Sequence, residues 1–532
     1  MWSKYAHIHQ TIDSALQAYN TAFKLLPSLS WLGHTIASRH NALIHANFLA
    51  CDGAAAAISM GDSEQALEWL EQGRSVVWGQ FLQLRSPVDK LREVDIDHAE
   101  SLSNIGLALE QGSHTENPMT NESDSKISSE HAIQKHRQLA DKWDSIVKCV
   151  QKIPGFERFM LPKQFHELQQ AASQCPVVVL NISKYRCVAL IVKSTSDPPC
   201  QIHLDNLTYD TAKTLQMAFQ KILSDQGIRN RRVDRHGELE FGTDSNANDA
   251  FRHILAELWK SVVEPVLTQL NPESDRFRIC WCPTGPLMFL PIHAAGIYNA
   301  DGSASVSLAD IAISSYTPSL SALLNRHKWE DQTSTFKFLA VIQPNTPGAT
   351  PLRGTIAELT YLQKHVPVSS LHVLKGEDAT TAEVLTGMEK YSWVHLACHG
   401  VQDQSDPMQS SLLLHDGRLS LSRIIQKRIP HADFAFLSAC QTATGDERRP
   451  EEAIHLAAGM LVAGYKGVTG TMWPIQDNDA PFVADQVYSR LLQNGRPSGV
   501  HPAAALHEAI HELRRRGGSD FTSWVPFIYM GV

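Results

Sequence analysis

Hydrophobic and polar positions change rhythm along this chain. Over residues 1–111 they recur at helical spacing. In ALQAYNTAFKLLP (15–27), Ala15, Tyr19, Ala22 and Pro27 fall at intervals of 4, 3 and 5. That spacing lines small and aromatic residues along one side of a helix, which the proline then stops. A second stretch runs from Ala50 to Gly73. Ala54 takes the small position of one helix, Gly61 the turn, and Ala66 and Leu70 the next helix. Helix pairs of this kind bury their faces by stacking on one another. The two copies stand 51 residues apart, Ala15 to Ala66.

Residues 112–129, GSHTENPMTNESDSKISS, are polar and turn-rich, which predicts a mobile loop or linker. Helical pattern resumes from about Glu130 to Ala172. From Cys175 the rhythm changes to short apolar runs alternating with helical stretches. VVVLNIS (177–183) and RCVALIVKS (186–194) read as a hairpin. Helices are expected at about 208–224 and 247–269, and strands at FRICWCP (277–283), KFLAVIQP (337–344) and LHVLKG (371–376). Further helices are expected at 356–364 and 380–390. The stretch 227–245 has no periodicity and reads as an exposed loop. Alternation of this kind builds a mostly parallel sheet covered by helices. The expected fold class is therefore α/β, preceded by an all-α region.

Composition narrows the function classes. The 532 residues are 43% hydrophobic and 19% charged, the balance of folded domains. A net charge of −9 argues against a protein whose main task is gripping nucleic acid or an anionic membrane. The nine cysteines are odd in number and scattered, unlike a secreted disulfide framework. Reduced thiols in a cytoplasmic setting are expected. No stretch approaches the ~18 apolar residues of a membrane span. The first ten residues lack the pattern of a signal peptide.

The chemistry concentrates in 391–480. YSWVHLA (391–397) is a strand-length run that ends in Cys398-His399-Gly400. DFAFLS (433–438) is a second, ending in Ala439-Cys440-Gln441. Between them lie a hairpin turning at Asp416-Gly417 and a helix at 421–428, enough chain for a parallel crossover. His399 and Cys440 then share the carboxyl edge of one sheet, where open α/β sheets hold their sites. An imidazole beside a thiol raises the thiolate fraction, and the thiolate attacks a carbonyl. The backbone N–H groups of Gly400 and Cys440 are candidates to polarise that carbonyl. By spacing alone, a buried structural cysteine remains an alternative.

Several neighbours compete. Cys398 points opposite to His399 if the strand continues, toward the core. His395 lies about 13 Å back along the strand and reads as a hydrogen-bonded structural histidine. His395, Cys398, His399 and Cys440 lack the paired spacing of structural zinc. Cys280 and Cys282 read as core thiols. Gly464, Gly467 and Gly470 precede a strand, not a helix, so they suit close packing better than phosphate binding.

The phrases VHLACHG (394–400), SLLLHDGRLSL (411–421), FLSACQTATGDE (436–447), EEAIHLAAGMLVAGYKGVTGTMWPIQD (451–477) and WVPFIYMGV (524–532) resemble the CHAT domain. That family is a caspase-like, clan CD cysteine-peptidase group often joined to tetratricopeptide repeats. TGPLMFLPIHAAG (284–296), YTPSLSALL (316–324) and LRGTIAEL (352–359) fit it too. The helices of 1–111 resemble such repeats, although the 51-residue interval departs from the usual ~34 and an ordinary bundle stays open. The resemblance implies a caspase-like sheet with His399 as general base and acid and Cys440 as nucleophile. A carboxylate partner such as Asp403 stays unassigned.

The chain thus reads as four segments: a repeat-like region 1–111, a linker with connecting helices 112–174, a non-catalytic half 175–330 and a catalytic half 331–532. The implied activity is a cysteine endopeptidase acting on protein substrates, with no metal or organic cofactor and with a regulatory protein partner on the helical repeats. Direct nucleic-acid binding is not expected. The rival reading is a non-catalytic repeat scaffold or signalling adaptor. Family members build the pocket for the residue before the cut beside the strand after the nucleophile, here GVTGTM (467–472). Trp473 would be an apolar wall, and Asp477 and Asp479 would receive Arg or Lys. Capping of the helix that starts near Asn478 is the alternative use of those two acids.

Overall fold

The computed structural model describes residues 12–43, 46–74, 76–84, 88–112, 123–226, 245–273, 277–324, 336–403, 407–427, 429, 431–439, 455–476, 478–517 and 520–531. The chain divides into two units, Met1–Glu167 and Leu168–Val532.

In the first unit, α1 (Ile12–Leu29) buries Ala15, Ala18, Tyr19, Phe23 and Leu26. This stripe follows the 3.6-residue period more closely than the expected Ala15, Tyr19, Ala22 and Pro27. Pro27 is exposed and does not stop the helix, which runs on to Leu29. Phe23 is needed inside because it stacks on Trp69, with ring centres 5.2 Å apart. The second expected pair forms as α2 (Leu49–Ser59) and α3 (Ser63–Gly73). Gly61, at φ +77°, makes the turn, and the Asp62 carboxylate caps α3 by accepting from the Gln65 N–H at 2.9 Å. Ala54 and Ala66 are fully buried. Gly73 lets the helices touch, since a Cβ there would stand 2.7 Å from that of Ala50.

After the shorter helices Val76–Leu84 and Asp89–Arg92 come two long ones, α4 (Ile96–Gly112) and α5 (Ser123–Val150). The polar stretch expected to be a loop from 112 to 129 is therefore helical from Ser123, while 113–122 lie outside the described residues. Helical pattern was expected to reach Ala172; α5 ends at Val150, and helical turns resume at Phe165–Leu168 and Gln169–Ala172. Pro154, Gly155 at φ +88° and Pro162 break the chain beyond Val150 into turns.

The second unit is built on strands β1 (Val177–Ile182), β2 (Cys187–Val192) and β3 (Cys200–His203), helices α6 (Tyr209–Asp225) and α7 (Ser245–Leu258), and strands β4 (Arg278–Pro283) and β5 (Ile313–Tyr316). It continues through β6 (Phe338–Ile342), α8 (Gly354–His365), β7 (Leu371–Lys375), α9 (Thr381–Lys390), β8 (Trp393–Ala397) and β9 (His399–Val401). Next come β10 (Ser411–Leu414), β11 (Gly417–Ser420), β12 (Phe434–Ser438), α10 (Leu456–Ala463), β13 (Gly467–Thr471), α11 (Asp479–Leu491), α12 (Pro502–Gly517) and β14 (Phe527–Gly531). The expected exposed loop at 227–245 lies outside the described residues except for Ser245, where α7 starts.

Eleven of the described strands form one sheet, in the order β3-β2-β1-β4-β5-β14-β13-β12-β8-β6-β7. From β13 to β7 every neighbour is parallel. So are β1, β4, β5 and β14 among themselves. The polarity reverses where β14 runs antiparallel to β13. Strands from 175–330 and from 331–532 thus share one sheet, and β14, from the latter stretch, runs in the direction of β1, β4 and β5. β6, β8, β12, β13 and β14 are buried at every position, as parallel strands covered on both faces must be.

Candidate active site

Three levels of β8 position its tip. At the amino end, Trp393 packs among Phe336, Phe338 and Phe434, and its indole N–H donates to Asp433 at 3.0 Å. In the middle, His395 is fully buried. Its Nδ1 pairs with the Tyr488 hydroxyl at 3.0 Å, and its Nε2 lies 2.8 Å from Glu358 Oε2 without the alignment of a hydrogen bond. Burial, with the Glu358 charge adding to it, pushes the Tyr488 phenol well above its usual range. This cluster ties α8 and α11 to the strand.

At the carboxyl end the chain leaves the main sheet. Cys398 is 1% exposed. His399 then opens β9, which pairs antiparallel with β10, His399 facing Leu413 and Gly400 facing Leu412. The hairpin β10–β11 turns at His415-Asp416, one residue before the expected Asp416-Gly417, and Gly417 opens β11 at φ +138°. Asp416 anchors it by accepting from the Thr381 N–H at 2.7 Å and the Thr381 hydroxyl at 3.0 Å.

His399 is half-buried, and its Nε2 lies 2.7 Å from the Thr350 carbonyl oxygen. A carbonyl only accepts, so Nε2 donates, and in the neutral ring Nδ1 is the basic nitrogen. Thr350 belongs to the loop after β6, fastened beside β8 by the Gln343 N–H, which donates to the Ala397 carbonyl at 2.8 Å. Pro351 biases Thr350 toward extended backbone. Sequence reasoning missed Thr350, because a backbone carbonyl has no residue signature. The Thr-Pro step directly after a buried strand was the available signal.

The partner strand is β12. It lies parallel beside β8 with Ala397 opposite Ser438. His399 and Cys440 therefore each stand two residues beyond one of a facing pair. Cys440 itself lies outside the described residues. Ala439 precedes it, 3% exposed, and its carbonyl accepts from the Thr471 hydroxyl at 3.1 Å. Asp403, on the loop after β9, donates its N–H to the Ser410 hydroxyl at 3.1 Å.

Of the residues expected around the substrate pocket, Trp473 is 2% exposed and meets Phe219 and Phe251, with ring centres 5.3 and 6.4 Å away. Asp479 heads α11, where Asn478 makes no side-chain cap. Its carboxylate accepts from the Ser523 hydroxyl at 2.7 Å. Burial raises its pKa, against the Ser523 bond, and the nearby Asp520 raises it further. Asp477 lies outside the described residues.

The competing residues sit in the core. Cys280 and Cys282 are 0% and 1% exposed. Burial pushes the Cys280 thiol well above its usual value and that of Cys187 up to about 11. Gly467 serves close packing between strands: a Cβ there would overlap the Tyr529 hydroxyl. Gly464 ends α10 at φ +123°.

One motif escaped the sequence reading. His507-Glu508-Ala509-Ile510-His511 on α12 has the H-E-x-x-H spacing of zinc peptidases. The two rings stand 4.6 Å apart beside a cavity of about 30 Å³. However, Glu508 is exposed, and His511 Nε2 is bonded to the Ala309 carbonyl at 2.7 Å. Asp310 is engaged by Arg514 at 3.0 Å. Among the described residues no three potential metal ligands converge.

The family model of the CHAT domain matches residues 252–532. The chain belongs to the CHAT domain family. No curated protein matches it. Among solved structures, this CHAT protein is similar to the Saccharomyces cerevisiae separase–securin complex. In the 3.0 Å structure the identity is 11% and the TM-score 0.49, covering 98% of this chain and 43% of that one. In the 2.6 Å structure the TM-score is 0.42 at 11% identity, with 100% and 44% covered. Gingipain R, an Arg-specific cysteine proteinase, comes next at 9% identity and a TM-score of 0.34, with 60% and 75% covered. All three likenesses are loose, and this chain spans less than half the length of the separase chains.

Proposed function

We propose that this CHAT protein is a cysteine endopeptidase using His399 and Cys440. The observation that carries the reading is the register of β8 and β12, which face each other at Ala397 and Ser438 and lead directly into the two residues. The Thr350 carbonyl adds to it by reserving Nε2 as a donor and leaving Nδ1 as the base.

In the proposed reaction, Nδ1 takes the Cys440 proton and the thiolate adds to the scissile carbonyl carbon. The backbone N–H groups of Gly400 and Cys440 receive the oxyanion. The imidazolium returns its proton to the leaving amine as the C–N bond breaks. Water, deprotonated by the same ring, then cleaves the thioester and restores the thiol. This chemistry needs neither metal nor organic cofactor. Arg or Lys is preferred before the cut, read by a carboxylate of the segment after β13, with Asp477 and Asp479 as candidates and Trp473 bracing that segment from behind. The first unit, with its Gly61-turned helix pair, acts as a tetratricopeptide-type surface for a regulatory partner in a reducing, cytoplasmic setting.

The test is covalent labelling by peptidyl acyloxymethyl ketones carrying different residues before the reactive group. Wild type is expected to label, Cys440→Ala not at all, and His399→Ala slowly. Equal labelling of Cys440→Ala would leave the scaffold or adaptor reading in its place.

A further inference from the structure

We infer that Glu358 is a positioning residue for His399: it fixes where α8 sits along β8, and so where the Thr350 carbonyl meets the imidazole. Its meaning for catalysis rests on the cysteine-peptidase reading above. The loop that carries Thr350 is held at three points. The Gln343 N–H donates to the Ala397 carbonyl at 2.8 Å, and the Leu352 N–H donates to the Pro344 carbonyl at 2.8 Å. On α8, the Thr355 hydroxyl donates to the Leu352 carbonyl at 2.8 Å. Thr350 is thereby suspended between the end of β6 and the first turn of α8, and follows that helix.

The buried residues of α8 are Thr355, Glu358, Leu359 and Leu362. Hydrophobic contact has no direction, so two leucines leave the position of the helix along its axis weakly specified. Glu358 supplies a directional contact. It is 2% exposed, and its Oε2 lies 2.8 Å from His395 Nε2. The Tyr488 hydroxyl of α11 holds the other side of that ring, 3.0 Å from Nδ1, and Phe436 packs on it with ring centres 5.1 Å apart. On β8, His395 stands four residues before His399. The strand that leads to the imidazole and the helix that follows its carbonyl partner are thus keyed together at one buried point. Apolar side chains fill such a space without the desolvation that a buried polar pair entails, and the use best attested for such a pair is to set register. A slide of α8 by one residue's rise is about 1.5 Å. The contact of His399 Nε2 with the Thr350 oxygen, 2.7 Å long, leaves the usual N–H···O range at about 3.2 Å. Glu358 acts through the helix it seats, its contact on β8 lying ~13 Å of strand before His399.

The test removes the polar cluster as a set, so that none of its groups is stranded: Glu358→Met/His395→Leu/Tyr488→Phe, in the full chain. The probe is diethyl pyrocarbonate, which acylates histidine through the lone pair of an unprotonated ring nitrogen and is read residue by residue by mass spectrometry. With Nε2 donating to Thr350, the neutral ring of His399 offers that pair at Nδ1 alone; a ring released from Thr350 offers it at either nitrogen. The triple variant is expected to melt within about 3 °C of wild type. Its His399 is expected to be acylated about fivefold faster or more, the factor that the net worth of one hydrogen bond gives, while exposed His203 keeps its rate. Glu358→Met alone is a second removal of the contact, and thermal melting of each variant confirms that the assay runs on folded protein. Glu358→Gln, which keeps the length and a polar end, is expected to stay within about twofold of wild type. Leu362→Ala, at a fully buried position of the same helix, is expected to lower the melting temperature and leave the His399 rate within about twofold. An unchanged His399 rate in the triple variant overturns the assignment. So does an equal speeding in Leu362→Ala, or a Glu358→Gln variant as fast as the triple one. Peptidyl ketone labelling, run beside this, is expected to slow about fivefold or more in the triple variant, and an unchanged ketone rate removes Glu358 from catalysis. A wild type that no ketone labels removes the peptidase reading, whereas the seating of His399 by Glu358 is still decided by the acylation rates, which make no use of a thiol.

Discussion

His293 and His399 belong to the two oppositely directed halves of one sheet. His293 lies in the loop after β4 and is 8% exposed. Its Nδ1 pairs with the Tyr316 hydroxyl at 2.8 Å, its Nε2 donates to the Val525 carbonyl at 2.9 Å, and its own N–H donates to the same tyrosine at 3.0 Å. Burial pushes its imidazole down to about 4. The strand end before it is closed as well, with the Thr284 hydroxyl donating to the Leu180 carbonyl at 2.7 Å and accepting from the Ile182 N–H at 3.0 Å. His399 is half-buried, and the described bond of its ring is one to a carbonyl. Residue type does not distinguish the two histidines. What separates them is burial, His293 lying in the core and His399 half-exposed at a strand end.

The sharpest test of that contrast is a pair of substitutions. His399→Ala is expected to lower the labelling rate of Cys440 by about 10²–10⁴-fold, whereas His293→Gln leaves the rate per folded molecule within about twofold. Comparable losses in both would erase the distinction. A second effect is expected in stability. His293→Leu strands the Tyr316 hydroxyl and the Val525 carbonyl in the core, for a cost of about 1–3 kcal/mol in urea unfolding, while His399→Ala stays within about 1 kcal/mol.

The third expectation concerns pH. Unfolded, His293 takes its proton near ~6.5; folded, only near 4. The unfolded state thus binds more protons between these values. Stability is full above about pH 6.5 and falls as the pH drops toward 4, by up to about 1.4 kcal/mol per unit. His507, also pushed down to about 4 by burial and by His511, adds to the same slope. His293→Gln should flatten unfolding midpoints measured from pH 7 to 4.5, and a slope identical to wild type would remove His293 as its source. The smallest effect is reserved for the acids after β13. Asp479→Asn keeps an acceptor for Ser523 and should shift the melting free energy by less than about 1 kcal/mol. A positional scanning peptide library then compares it with Asp477→Asn, and the variant that loses the preference for Arg or Lys identifies the reading carboxylate.

Much of the sheet was readable because strands buried on both faces spell uninterrupted apolar runs, as in VVVLNI, FLAVI, WVHLA and FAFLS. Strands without that property were not. β3 alternates between half-buried and exposed, and β5 carries two serines in four residues. β9 is three residues long and owes its pairing to the hairpin it joins. β14 was noticed only through family resemblance, since its partners lie about 60 and 210 residues earlier. At the site, His399 announced itself at a strand end. The Thr350 carbonyl and the Thr471 hydroxyl depend on register and loop closure, which no local pattern carries. The role of Trp473 likewise turns on Phe219 and Phe251, more than 200 residues away.

The position of β14 between β5 and β13 also sets a schedule. A ribosome adding about 5–20 residues per second reaches Gly531 roughly 5–18 s after it has made residue 440. Through that interval the nascent chain holds its thiol and its histidine, yet Thr471 has no Phe527 beside it and the two halves of the sheet have no strand to join them. The joining of the sheet is thereby left to the end of synthesis, by the order in which its strands are made.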